Sequence, residues 1–267
     1  MLVTSINDIW RNDFVKYLNK KQYGENTQVK FMKDIKMFCL YGNRQYNINK
    51  QVIAWEINRK PQNVSEFLTL TFDDIDKIQT SIMPTEKLRN VRDWFLISCY
   101  TSVRVSELLQ MHTDNIIKNG EDYFCRVHER KTGNEKIVYL MPQVIQILNK
   151  RNGQFPKRIT DQKYNEYLKE VFQQAGFNQT ITHGKLEATE NGTRKIVREG
   201  EFLEFISSHS GRATYVTLFS GRLPSEILQI QTNHHSKEML ERYDKTEAEE
   251  KMLKRAKLVA AAHRDID

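Results

Sequence analysis

The sequence predicts a mainly α protein of two domains: a small helical N-terminal domain, and a larger α-rich domain carrying small β-hairpins. Three observations lead there. Apolar residues recur at intervals of three and four between Ile6 and Cys39, a polar stretch containing Pro61 interrupts the pattern, and helical spacing then returns around two short strand pairs with Gly-containing turns.

Taken in order, Ile6, Ile9, Trp10, Phe14, Tyr17 and Leu18 mark one face of a first helix, with Asp13 as its single lapse. Phe31, Met32, Ile35, Phe38 and Cys39 repeat the spacing after a break at Gly24–Asn26, and Val52, Ile53, Glu56 and Ile57 suggest a short third helix. Lys16, Lys20, Lys30, Lys33 and Lys36 then project from the outer surfaces, as a solvated face or as contacts to a polyanion. The stretch Arg59–Glu66 places a boundary, with a first domain over residues 1–62, a linker over 63–69 and a second domain over 70–267. Thr71 and Asp74 have the spacing of a helix start, with Ile75 and Ile78 on one face behind them. Leu88, Val91, Phe95 and Cys99 read as a buried helix, followed by a shorter one across Val103–Met111. Tyr123–Val127 and Lys136–Leu140 are strand-like and flank Lys131–Asn134, a hairpin turn. Helix resumes after Pro142, and a second strand pair is expected within Thr180–Arg198 around Asn191-Gly192. From Ser210 the pattern is helical, with breaks at Gly221–Pro224 and Asn233–Ser236. It ends in a strongly helix-forming segment over 247–263, whose Met252, Leu253, Ala256 and Val259 make one apolar stripe.

Composition removes several classes. The chain has 267 residues, and its mean hydropathy of −0.65 with no long apolar run argues against a membrane span. Cys39, Cys99 and Cys125 lie far apart, which fits neither a disulfide scaffold nor a zinc knuckle nor a redox pair, and a reducing, cytoplasmic setting is expected. The net charge is +7, and residues 1–66 concentrate the excess with 11 Lys and Arg against 6 Asp and Glu. A basic N-terminal quarter is compatible with a nucleic-acid partner without requiring one.

The informative feature is an order of motifs. Arg104 and Glu107 stand three apart, Lys131 sits in the hairpin turn, His209 and Arg212 again stand three apart, and Tyr243 follows His234 by nine residues. Each alone is ordinary: an exposed ion pair, a loop lysine, a capped helix start, a packed aromatic. In this order they resemble the tyrosine recombinase (phage integrase) family. That resemblance covers most of the chain and implies a helical core-binding domain followed by the tyrosine recombinase catalytic fold. Position by position it makes Arg104 and Arg212 the phosphate-clamping arginines, Lys131 the hairpin lysine, His209 and His234 the two histidines and Tyr243 the nucleophile. Glu107 takes the acidic position that steadies the site. Ser102 and Asn233 depart from the glycines usual before the first Arg and the second His, but both types tolerate turns. His235 adjoins His234 and competes with it, and Lys136 lies close enough to compete with Lys131; the nine-residue spacing favours His234.

These residue types suit phosphoryl transfer. Negative charge grows on the non-bridging oxygens in the transition state, and two planar, permanently charged guanidinium forks match it. The resemblance implies that Tyr243 attacks phosphorus to give a 3′-phosphotyrosyl intermediate, that Lys131 protonates the leaving oxygen, that His209 takes the tyrosine proton and that His234 donates a hydrogen bond. No cofactor is expected: the ATP-binding glycine loop is absent, and the paired histidines lack a third ligand at metal-site spacing. Nine residues of unbroken helix turn through about 900° and would put His234 and Tyr243 on opposite sides, so the chain must break between them. Ser236 is a candidate cap for the new helix. The expectation is therefore a site-specific DNA recombinase or integrase, of a phage, transposon or chromosomal element. It would act on double-stranded DNA as a tetramer, with the C-terminal helix packing in cis or docking on a neighbouring protomer. The alternatives are a non-catalytic DNA-binding regulator and a type IB topoisomerase-like relaxing enzyme.

Overall fold

The structure, a computed structural model, describes residues 3–43, 46, 48–57, 67–129, 133, 135–189, 192–232, 240–241, 243–244, 252–253 and 256. The chain divides into two compact units, Met1–Glu66 with Thr182–Glu199, and Phe67–Ile181 with Gly200–Asp267. Because residues 182–199 group with the first unit, this division crosses the chain three times.

In the first unit, α1 (Asp8–Lys20) starts at Asn7, whose side chain accepts the Trp10 N–H at 2.9 Å, and carries Asp8 in its first turn and Lys20 in its last, both favourable to the helix dipole. It is followed by α2 (Glu25–Gly42) and the short α3 (Lys50–Ala54), capped by Asn49. Ile6, Met32, Cys39, Ile48, Val52 and Trp55 form the core, and the Trp55 indole N–H donates to Asp8 at 2.6 Å. Lys16, Lys20, Lys30 and Lys33 are exposed. Lys36 is half-buried and donates to the Trp55 carbonyl at 2.6 Å, so that lysine is partly spent on the fold.

The second unit is built on α5 (Glu86–Thr101), whose Val91, Trp94, Phe95, Leu96, Ile97 and Cys99 are buried around the whole circumference. After its charged first turn nearly every residue of this helix is buried, polar Asn90, Asp93, Ser98 and Thr101 included, which places it at the centre of the unit. Ahead of it, α4 (Phe72–Thr80) begins with the expected capping box: the Asp74 N–H donates to Thr71 Oγ1 at 3.1 Å and the Thr71 N–H to Asp74 Oδ2 at 2.9 Å. After it come α6 (Val105–Leu108) and an antiparallel sheet ordered β1 (Ile116–Asn119), β2 (Asp122–His128), β3 (Glu135–Tyr139). The β2–β3 register pairs Cys125 with Val138 and Val127 with Lys136. Next are α7 (Pro142–Asn149), with proline at its first position, and α8 (Asp161–Gln174), capped by Thr160. The ribbon of β4 (Thr180–Thr189) and β5 (Gly192–Glu201), whose residues 182–199 group with the first unit, is followed in the chain by α9 (Phe202–Phe205), α10 (Ser208–Phe219) and α11 (Ser225–Thr232). A second small core joins Tyr215, Val216, Leu228 and Leu240, with Tyr243 against it.

Gly211 sets the seat of α10 on α5. A Cβ there would lie 2.6 Å from Ser98 Oγ and 2.9 Å from Ser98 Cβ, so the two helices meet closely at the position just before Arg212. Of the C-terminal segment, Met252, Leu253 and Ala256 are described, each helical and exposed; Val259 lies outside the described residues. No helix among the described residues is long and apolar enough to cross a membrane.

Candidate active site

The site begins where α5 ends. Ser102 closes that helix in the left-handed conformation, φ 58° and ψ 18°, and its N–H donates to the Ser98 carbonyl at 2.9 Å. That turn releases the chain into extended backbone at Arg104, the residue that caps α6. A helical i, i+3 spacing then brings Arg104 Nη1 to 3.4 Å from Glu107 Oε1. The pair is no surface ion pair, because the Glu107 side chain is 2% exposed.

A second buried carboxylate stands beside it. Glu129, at the end of β2, lies with Oε1 3.6 Å from Arg104 Nη1. From β3, Lys136 Nζ reaches 3.4 Å from Glu107 Oε2 and 3.8 Å from Glu129 Oε1. Burial pushes the Lys136 ammonium below its usual pKa and the Arg212 charge adds to this, while the two carboxylates act in the opposite sense.

His209 and Arg212 come from the first turns of α10. Ser207 and Ser210 cap this helix reciprocally, the Ser207 N–H donating to Ser210 Oγ at 3.2 Å. Arg212 is 2% exposed. Its Nη1 donates to the Ser102 carbonyl at 2.7 Å and its Nη2 to the Thr232 carbonyl, so one guanidinium fork ties the turn after α5 to the end of α11. Thr232 ends a helix, where carbonyls lack intrahelical donors, and the arginine supplies one. Burial, and then the charge of Arg104, bring the Arg212 pKa down to about 10, which leaves it cationic at neutral pH.

Tyr243 meets this fork. The Arg212 guanidinium carbon lies 5.5 Å from the centre of the Tyr243 ring, and the two side chains interact electrostatically. The segment is held from α10 and its C-cap: Thr217 Oγ1 donates to the Tyr243 carbonyl at 3.1 Å, and Ser220 Oγ donates to the Asp244 side chain at Oδ2 at 2.5 Å. Phe67 covers the ring in a near-parallel stack and also stacks on His209, centroids 5.2 Å apart. His209 keeps an exposed edge, yet the side turned to the protein is desolvated. That desolvation, then Arg212 and Arg104, hold its pKa below the usual imidazole value.

The structure therefore brings together Arg104, Glu107, His209, Arg212 and Tyr243, drawn from α5–α6, α10 and the segment after α11. Lys131, His234 and His235 lie outside the described residues, as does the expected break at Asn233–Ser236. Sequence reasoning missed Glu129 and Phe67 as members of this constellation and weighed Lys136 only as a competitor for the hairpin lysine. Alternation along β3 could have found Lys136, which shares a face with the buried Val138 and so points inward.

No family model and no curated protein matches the chain by sequence. Solved structures do match by shape. The XerH site-specific recombinase in a post-cleavage complex with palindromic difH substrate superimposes with TM-score 0.60 at 16% identity, over 92% of this chain and 68% of that one. The Tn1549 transposon integrase (residues 82–397) with circular intermediate DNA gives 0.60 at 14%, over 97% and 86%. A lambda integrase (75–356) dimer on a COC′ core site gives 0.57 at 14%, over 92% and 82%. The fold, mainly helical with small antiparallel sheets, matches the tyrosine recombinase catalytic fold.

Proposed function

We propose that the chain is a site-specific DNA recombinase or integrase that cuts and rejoins duplex DNA through a 3′-phosphotyrosyl intermediate. The observation that carries this reading is the Tyr243 ring set against the Arg212 guanidinium, 5.5 Å from ring centre to guanidinium carbon, beside His209 and Arg104. A phenol is thus held against cations suited to a phosphate, within a fold shared with enzymes solved on DNA.

In the proposed reaction the scissile phosphate is clamped by Arg104 and Arg212, which meet the charge that grows on its non-bridging oxygens. The Tyr243 oxygen attacks phosphorus and its proton passes to His209, whose lowered pKa keeps the ring neutral and able to accept it. The bond from phosphorus to the 5′-oxygen breaks, and Lys131 supplies that oxygen with a proton. His234 donates a hydrogen bond to the phosphate, and Glu107 steadies Arg104. Attack by the 5′-hydroxyl of another strand reverses these transfers and frees the tyrosine, so the bond energy is conserved and no nucleotide cofactor is needed. Lys16, Lys20, Lys30, Lys33 and Lys36 supply contacts to the DNA backbone from the helical domain of residues 1–62. That binding weakens as salt rises, because phosphate contacts release counterions. The working form is a tetramer on DNA, with the C-terminal segment 247–263 docking on a neighbouring protomer.

The test is covalent capture on a library of nicked duplexes, followed by sequencing of the trapped DNA and peptide mapping. The wild-type chain is expected to form a denaturant-resistant adduct at Tyr243, and Tyr243→Phe none. An adduct that persists in the variant removes the assignment. Binding without any adduct in the wild type identifies a non-catalytic regulator, and relaxation of plasmids lacking the captured site identifies a topoisomerase.

A further inference from the structure

Two buried carboxylates flank the more exposed of the two candidate phosphate-binding arginines. Glu107 and Glu129 side chains are each 2% exposed, whereas Arg104 is 28% exposed. Burying two anions requires two cations nearby, since an uncompensated charge in that environment is strongly destabilising. Arg104 cannot meet that demand alone and still present its guanidinium to a ligand. Its contacts of 3.4 and 3.6 Å are longer than the 2.7–2.9 Å of a tight charge-assisted hydrogen bond.

Lys136 supplies the missing charge from the opposite side. Its side chain is 13% exposed, and Nζ itself is shut off from solvent. It lies 3.4 Å from the Glu107 oxygen that Arg104 does not use and 3.8 Å from the Glu129 oxygen that Arg104 shares. Arg104, Glu107, Lys136 and Glu129 thus close a ring of alternating charge, net neutral, drawn from α6, the end of β2, and β3. We propose that Lys136 is a positioning residue, which balances the Glu107 and Glu129 carboxylates from behind and so leaves the Arg104 guanidinium available to a phosphate. An amino group enclosed in this way acts through Arg104 rather than on the ligand. This role is separate from that of the hairpin lysine Lys131, and it rests on the phosphate-binding reading of the site.

The test uses inorganic phosphate as probe and the full chain, with binding followed by 31P line broadening. Lys136→Met leaves one carboxylate unbalanced beside Arg104 and is expected to weaken phosphate binding about tenfold, as one uncompensated charge at this range would. Adding Glu129→Gln restores neutrality and is expected to recover affinity to within about threefold of wild type. A lysine important only for folding predicts no such recovery. Unchanged binding in K136M, or a double variant as weak as K136M, overturns the proposal, as does a wild-type chain that binds no phosphate. Should K136M not fold, the neutral double variant decides: wild-type-like binding is expected, and its loss overturns. Absence of a phosphotyrosyl adduct on DNA would remove the recombinase reading while leaving this comparison decisive on its own terms.

Discussion

Phe67 lies face to face with Tyr243, ring centroids 4.7 Å apart and planes 17° from parallel. The same phenyl ring stacks on His209, so one apolar side chain spans the proposed nucleophile and the proposed proton acceptor. Phe67 stands five residues ahead of α4, in irregular chain that Leu70 anchors by donating its N–H to Thr214 Oγ1 on α10 at 3.1 Å. Its position is therefore fixed by the helix that supplies His209 and Arg212.

Removing that ring should loosen the nucleophile more than the fold. Aromatic stacks of this kind contribute roughly 0.5–1.5 kcal/mol beyond area burial. Phe67→Ala is expected to slow adduct formation at Tyr243 by about tenfold, in keeping with that range, with little change in melting temperature. Phe67→Tyr should retain most of the rate. Single-turnover capture kinetics on the trapped DNA provide the measurement, and an F67A rate equal to wild type would show that the stack positions nothing.

Ser102 offers a stability test at the turn that holds both arginines. Its φ of 58° is a left-handed conformation that costs an L-residue about 1–2 kcal/mol and glycine essentially nothing. Its hydroxyl is also buried without a hydrogen bond among the described residues. Ser102→Gly removes both costs and keeps the carbonyl that accepts from Arg212. The expected outcome is a gain of about 1 kcal/mol, offset in part by the greater freedom of glycine in the unfolded chain. For a unit of this size that is a rise of roughly 2–4 °C in melting temperature by calorimetry. A fall would mean that the serine hydroxyl stabilises the turn after all.

The same turn illustrates what could be read without coordinates. The helices came from apolar spacing and the start of α4 from Thr71 and Asp74, because those signals are local. Strands β2 and β3 were legible from their composition on either side of the Gly133 turn. Strand β1, with the sequence Ile-Ile-Lys-Asn, is too short to show alternation, and its pairing with β2 comes from the tight turn at Gly120, φ 61°. Within the site, Arg104, Glu107, His209, Arg212 and Tyr243 were marked by spacing and order. Glu129 and Phe67 carry no such mark. Each joins the site only through packing between segments distant in sequence, Phe67 lying 142 residues from His209 and 176 from Tyr243, and no local pattern encodes such contacts.

His209 gives a prediction whose sign follows from its surroundings. Desolvation on its protein-facing side, then Arg212 and Arg104, hold its pKa below the unperturbed imidazole value, which is about 6.5. The folded chain therefore takes up the His209 proton less readily than the unfolded chain. The stability linked to this group is present above the unfolded pKa and is lost as pH falls from there through the folded pKa. An NMR titration of the His209 ring, assigned with a His209→Asn variant, should give a midpoint below about 6.5. Arg104→Gln removes one of the charges that lower it and should move the midpoint up, and inorganic phosphate should do the same by offsetting the guanidiniums. In the proposed reaction this dependence appears as an acid limb in adduct formation, because only the neutral ring can take the tyrosine proton. A midpoint above the unperturbed value, or one indifferent to both Arg104→Gln and phosphate, would place His209 outside the field of the arginines and remove it as proton acceptor.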